Sequence, residues 1–416
     1  MMPPSWPEMT RVFGRIGLMS FGGPAAQIAV MHRELVEHRP WLSEQTYLRA
    51  LSLCMLLPGP EAMQLATYAG WRLRGVAGGL LGGLLFVVPG ALFIALLALL
   101  YAWYGQLPLV QTAFLGIKAA VIVVVFQALL KVSSKALHGG LGWTLAIASF
   151  VALFVLGLPF PLIILVAGAI GMVAGFPAPN EPDSPPPPGG AHSLRTLVVW
   201  GALWATPLLA VALMGDGFLL DLGLFFSKLA VVTFGGAYAV LAYMTQTVVQ
   251  DFGWIGTDQM IDALGLAETT PGPLILVTQF VAMLAGFAET GPTGAIAAGL
   301  LALWVTFTPC FLWIFLAGPY LEALSAQPRI AGALRAITAA VVGVIANLSV
   351  WFALHVLFDR VGTSDIFSLP APELASYNPT ATALTLVAAL LMLRLRWGFV
   401  TTMAFLAALA LVLAAI

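Results

Sequence analysis

Two cations stand at matching points of this chain, each shortly ahead of an interruption in an apolar segment, and the residues around them suit an anion. Arg15 lies five residues before Ser20, and Lys228 lies five before Thr233. Phe21, Gly22, Gly23 and Pro24 follow the first, and Phe234, Gly235 and Gly236 follow the second. Each half then carries a second interruption, Pro58, Gly59 and Pro60 with Glu61 behind it, and Pro271, Gly272 and Pro273 with Glu268 and Thr270 ahead of it. Glycine and proline inside a hydrophobic segment break the helical ladder and free backbone groups that lipid cannot satisfy, so these stations must face protein or water. Pro24, Pro60 and Pro273 stand where a half-helix can begin, because proline at the first helical position lacks only a donor that has no partner there anyway. A helix N-terminus presents amide donors and the positive end of the dipole, which is the chemistry of an anion site.

Cations at hydrocarbon depth cost at least about 2.5–3.5 kcal/mol each and normally mark a pathway or a partner. Arg15 and Lys228 fit contacts to an anion, although near the starts of their segments they can also snorkel to the headgroups. Lys118, with long apolar flanks, is a third candidate. Arg49 either faces the interface or forms an ion pair with Asp262, its counterpart in the second half. Glu61, at a helix start, reads equally as a structural cap and as a proton carrier or gate, and Glu268 is the other candidate for coupling or gating. Gln64, Thr269, Thr270, Thr278 and Gln279 can donate to an oxyanion or bond neighbouring helices. Cys54, Cys310 and the scattered histidines offer no metal-ligand spacing, so buried free thiols, no metal and no cofactor are expected.

These stations are positioned by a duplicated module. The breaks recur at an offset of 213 residues, as do Trp41 and Trp254; the offset becomes 220 where Pro89 and Pro108 meet Pro309 and Pro328. Of 416 residues, 61 % are hydrophobic and 8 % charged, too little polar surface to cover a soluble body of this size. Apolar runs of membrane-spanning length recur without strand-like alternation, so the expectation is an all-α integral membrane protein whose helices are broken at the Gly/Pro motifs. The start has no basic leader with a cleavage site, so the first segment is expected to stay.

Residues 1–176 form the first repeat, with apolar segments near 8–36, 44–72, 75–104, 107–135, 141–157 and 159–176. Residues 177–194 are a Pro-rich linker, 195–214 a connecting transmembrane helix, and 215–416 the second repeat. Six segments plus one is odd, which inverts the second copy in the membrane, an architecture of secondary transporters. With a cytoplasmic N-terminus and an outside C-terminus, ten loop cations fall inside and three outside. If the first two segments of each copy dip in and return, Arg33 and Arg39 move inside and the count becomes twelve against one. Nine to thirteen crossings follow. The net charge of −1 argues against nucleic acid as a partner.

The run Arg15, Gly17, Ser20, Phe21, Gly22, Gly23 and Pro24, then Trp41 and Leu42, then Leu57, Pro58, Gly59 and Pro60, resembles the first domain of the chromate ion transporter family. The second copy resembles the partner domain of that family's long-chain, two-domain form. Ala237 and Leu274 replace Pro24 and Glu61 there, which implies unequal contributions from the halves. The resemblance implies outward transport of chromate across the inner membrane of a bacterium, with sulfate as the close structural relative. Both are tetrahedral dianions that amide donors and one or two cations can hold. It leaves open an importer of sulfate or another oxyanion coupled to protons or sodium, and it permits a homodimer. A membrane-embedded enzyme acting on a lipid phosphate is a distant alternative, disfavoured by the lack of a clustered His, Asp or Glu constellation.

Overall fold

The computed structural model describes residues 4–415 except 22, 175–189, 235–236, 321–326 and 364–368; Gly22, Gly235, Gly236 and most of the expected linker therefore lie outside the described residues. The protein is an all-α membrane protein, with a short antiparallel pair, β1 (Val361–Thr363) and β2 (Pro370–Pro372), in one connection. Five helices are long and apolar enough to cross a membrane, within Glu61–Tyr104, Pro108–Ala136, Ser193–Met214, Leu274–Tyr320 and Arg329–Leu357. Four shorter apolar helices bring the total to nine among the described residues.

Helix α1 (Trp6–Met19) starts at Ser5, whose hydroxyl accepts from the Glu8 amide, and buries Met9, Val12, Phe13 and Ile16 along one face. After Ser20 the chain enters α2 (Gly23–His32) and a π-helical turn, Arg33–Glu37. That turn brings Glu34 within 3.7 Å of Arg15, and the Trp41 ring lies 6.3 Å from that of Phe13. The segment thus doubles back toward its own start. Helix α3 (Glu44–Leu56), capped by Ser43, leads into the Pro58–Pro60 break and α4 (Glu61–Tyr104).

Helix α4 is two helical arms. Arg74 leaves helical geometry and Gly75 takes φ +61 and ψ −155, a conformation closed to side chains larger than glycine's. Gly70 then abuts Gly78, and Ala66 abuts Gly82, so the arms run antiparallel at glycine contact distance. The Arg74 guanidinium donates to the Pro4 carbonyl at 2.6 Å and lies over the Trp6 ring, which puts this turn beside the start of α1. The same device recurs in α12 (Val277–Ala317), where Gly291 has φ +70 and ψ −150 and Gly286 abuts Gly294. The second arms of the two hairpins pack with Gly79 against Phe315 and Gly83 against Phe311. Numbers rise along one arm and fall along the other, so these matching elements are antiparallel.

Between the hairpins the chain forms α5 (Pro108–Ala136), α6 (Gly139–Phe154), α7 (Phe160–Ala174), α8 (Gly190–Met214), α9 (Gly217–Val232), α10 (Ala237–Thr245) and α11 (Thr257–Thr269). After α12 come α13 (Pro328–Leu357), α14 (Pro379–Ala389) and α15 (Phe399–Ala415). A π-helical turn at Gln246–Asp251 matches the one after α2.

The chain forms two compact units, each drawing on both sequence copies. The first comprises Met1–Leu99, Met172–Ala237 and Thr270–Gly332, and holds all four Gly/Pro breaks. The second comprises Leu100–Gly171, Tyr238–Thr269 and Ala333–Ile416. Its core packs Ala119, Ala120 and Val123 of α5 against Leu384 and Ala388 of α14 and Met403 and Leu406 of α15. Gly116 is required where α5 meets the backbone of Leu406.

Candidate anion site at the paired breaks

In the first unit, each break is tied to a break of the other copy. The Gly59 amide donates to the Thr233 carbonyl at 2.8 Å, and the Gly272 amide donates to the Ser20 carbonyl at 2.9 Å. Gly59 matches Gly272 and Ser20 matches Thr233, so the contact is reciprocal, the signature of a two-fold relationship. Both glycines have positive φ, +118 and +90, which is what turns their amides toward these carbonyls. Gly90 and Cys310, themselves 220 residues apart, complete the reciprocity. Any Cβ at Gly90 would collide with the Pro271 carbonyl, and the Cys310 thiol occupies the space a Cβ at Gly59 would need.

This geometry redirects several expected donors. The amides of Gly59 and Gly272 hold the breaks together and do not point at a ligand. Ser20 and Thr233 are buried, and their hydroxyl protons return to the carbonyls of Ile16 and Leu229 one turn back, leaving only oxygen lone pairs. Thr278 and Thr269 likewise donate to Ile275 and Leu266. Remaining as donors to an anion are the first-turn amides of α2, α4 and the helix that follows Pro273. Gly23, with φ +78, and Pro24 open α2; Pro58 and Pro60 are half-buried, and Glu61 is the first residue of α4. Thr270 is buried beside Pro271 and Gly272.

The cations lie outside this core. Arg15 is exposed and pairs with Glu34, which is buried and also holds Arg39 at 2.6 Å. Lys228 and Phe21 are exposed. Lys118 and Glu268 belong to the second unit. There Lys118 lies 2.6 Å from Asp258 and 3.6 Å from Asp262, Tyr101 donates to the other oxygen of Asp262, and Tyr238 donates to Glu268. Asp262, weighed as a partner for Arg49, is thus engaged by Lys118.

Gln27 was not singled out in the sequence. Its amide nitrogen donates to the Gly272 carbonyl at 2.7 Å and to the Ser20 carbonyl at 3.3 Å, joining the two breaks from inside. The signal was present: Gln27 is the lone polar residue between Pro24 and Met31. Its counterpart is Val240, so the second pairing lacks this clamp. Gln64 donates to Pro58 at 2.6 Å and Gln279 to Ala91 at 3.1 Å, while their buried carbonyl oxygens have no hydrogen-bond partner among the described residues.

Comparison with known proteins gives these features a context. A family model described as chromate transporter matches residues 7–172 and 220–414. A probable chromate transport protein of Synechococcus elongatus is 32 % identical over 85 % of this chain and 86 % of its own. Chromate transport proteins of Pseudomonas aeruginosa and Cupriavidus metallidurans are 33 % and 29 % identical, over 86 % and 85 % of this chain and 83 % and 84 % of theirs. No solved structure matches the chain. Matched in both halves by the family model and across most of its length by these transport proteins, the chain belongs to the chromate transporter family.

Proposed function

We propose that this transporter is a secondary carrier that exports chromate across a bacterial inner membrane by alternating access, with the oxyanion held at the breaks of the first unit. The reciprocal Gly59–Thr233 and Gly272–Ser20 hydrogen bonds carry this reading, because each joins a break of one copy to a break of the other within the same unit. First-turn amides of α2, α4 and the 3₁₀ turn Leu274–Leu276 after Pro273 supply directional donors, and Arg15 and Lys228 supply charge at the approach. Gly22, Gly235 and Gly236 belong to the same proposed site. Ser20, Thr233, Gly59 and Gly272 act as its frame. Glu61 and Glu268 remain candidates for gating or coupling.

Two inverted repeats, 1–176 and 215–416, joined by the linker 177–194 and the helix 195–214, fit the antiparallel packing of the matching arms at Gly79–Phe315 and Gly83–Phe311. Nine crossings, an inside N-terminus and an outside C-terminus fit the doubled-back segment of α1 and α2 and the twelve-to-one distribution of loop cations. The membrane potential by itself favours export. Moving two negative charges out of an inside-negative cell is downhill by roughly 4.6 kcal/mol per 100 mV, a gradient on the order of 2000-fold.

Sulfate has the same shape and charge, and its import is the second reading. Thermal stabilisation of the purified protein separates the two, since a ligand that binds the native state raises its melting temperature. Chromate is expected to stabilise at lower concentration than sulfate, phosphate or molybdate; equal or stronger stabilisation by sulfate would favour the importer.

A further inference from the structure

The second unit holds an ionisable cluster that oxyanion binding at the breaks does not use. A cavity of about 460 Å³ opens among the starts of α5 and α14 and the ends of α13 and α15, lined by Lys118, Asp258, His355, Asp359, Asn378 and Thr380 among others. Lys118 is 9 % exposed in its side chain, and Asp258, which it holds at 2.6 Å, is 75 % exposed. Behind them Asp262 is fully enclosed, 3.6 Å from the same ammonium. Tyr101 donates to Asp262 Oδ2, and Oδ1 has no hydrogen-bond partner among the described residues.

Charge decides what this arrangement accepts. One lysine faces the carboxylates of Asp258 and Asp262, and Asp359 lines the same cavity, a surplus of negative charge that opposes a dianion and favours a cation. The ammonium already fills the space between Asp258 and Asp262, so a metal ion would have to displace it, whereas a proton needs only Oδ1, which the ammonium faces at 3.6 Å without a hydrogen bond. Lys118 touches the cavity and both carboxylates, which makes it the bridge from water to the enclosed acid. Among the described residues, the titratable groups around Asp262 and this bridge are Tyr101 at the end of α4, Lys118 on α5 and Asp258 on α11, with His355 on α13 and Asp359 just beyond it lining the cavity. His355 keeps its Nδ1 on the Trp351 carbonyl, 2.8 Å away. Ionisable groups buried at membrane depth are typical of proton relays.

We propose that Asp262, paired with Lys118, is the proton-binding site that couples oxyanion transport to the proton gradient. A proton from cavity water adds to Oδ1, Lys118 is left to Asp258 alone, and loss of the proton restores the pair. This rests on the transport reading above.

The test uses the full-length protein in proteoliposomes, with chromate flux and luminal pH followed together. Wild type is expected to move protons with chromate, and Asp262→Asn to lose at least about tenfold of that proton movement while still exchanging chromate for chromate, a partial reaction with no net proton transfer. Asp258→Asn, at an exposed position, guards against misfolding of the first variant: it is expected to change by at least about threefold the ratio of fluxes at acidic and neutral pH. Proton movement of wild-type size in Asp262→Asn, or an unchanged pH ratio in Asp258→Asn, overturns the proposal. Chromate flux without any proton movement in wild type overturns it and leaves the transport reading standing. No chromate flux at all defeats both.

Discussion

The amide of Gly59 donates to the carbonyl of Thr233 at 2.8 Å across 174 residues of chain, and its counterpart, Gly272 to Ser20, repeats the bond at 2.9 Å. A loop that must break its helix in lipid satisfies its freed donor on the loop of the other copy. The breaks are therefore mutually dependent, and perturbing one is expected to disturb both.

Gly90 is the sharpest probe of that dependence. A methyl group there meets the Pro271 carbonyl, whereas one at Gly201 in α8 meets nothing within 4 Å. Gly90→Ala is expected to lower chromate flux at least about tenfold at equal membrane abundance, and Gly201→Ala to leave it within about twofold. Gly59→Val combines a positive φ with a clash on Cys310 and is expected to abolish flux.

Gln27 clamps two buried carbonyls, and removing a donor from such a pair costs about 1–3 kcal/mol. Gln27→Ala is expected to lower the melting temperature in detergent. Gln27→Glu, which places a buried acceptor against two carbonyl oxygens, is expected to lower it further. A melting curve for each variant checks the order.

Arg15 and Arg39 both approach Glu34, yet only Arg39 is at hydrogen-bonding distance. Arg39→Ala is expected to reduce thermal stability more than Arg15→Ala, because it strips a buried carboxylate of its closest partner. Arg15→Ala is expected to reduce chromate flux at normal membrane abundance. Full flux in both Arg15→Ala and Lys228→Ala would remove them as anion contacts.

The proposed re-entry of α1 and α2 predicts an accessibility pattern. In a protein without Cys54 and Cys310, single cysteines at Ser43 and Arg72 are expected to react with impermeant reagent from the same membrane face, and one at Gln106 from the opposite face. Labelling of Ser43 together with Gln106 would mean that the first segment crosses.

Much of this was legible because glycine and proline announce helix breaks whatever their tertiary setting. Phe21–Pro24 and Pro58–Pro60 marked the ends of α1 and α3, and the repeated offset marked their equivalents. The donors' destinations were not legible. That the Ser20 hydroxyl turns back to Ile16 and the Gly272 amide reaches Ser20 depends on a pairing made across 252 residues. By spacing alone Gly75, Gly79 and Gly83 fall every four residues, a pattern that fits packing along one helix face. The structure instead uses Gly75 to reverse the helix, because its positive φ lets the arms fold together. The partners of Lys118 lie 140 and 144 residues away, on a helix whose neighbour a single sequence does not specify.

Chromate flux into and out of proteoliposomes held at a set potential is the most direct test of the central claim, that paired helix breaks carry a tetrahedral dianion. Wild type should show saturable flux that grows with the potential driving negative charge and collapses in Gly59→Val and Gly90→Ala. Flux absent in wild type, or undiminished in both glycine variants, would contradict it.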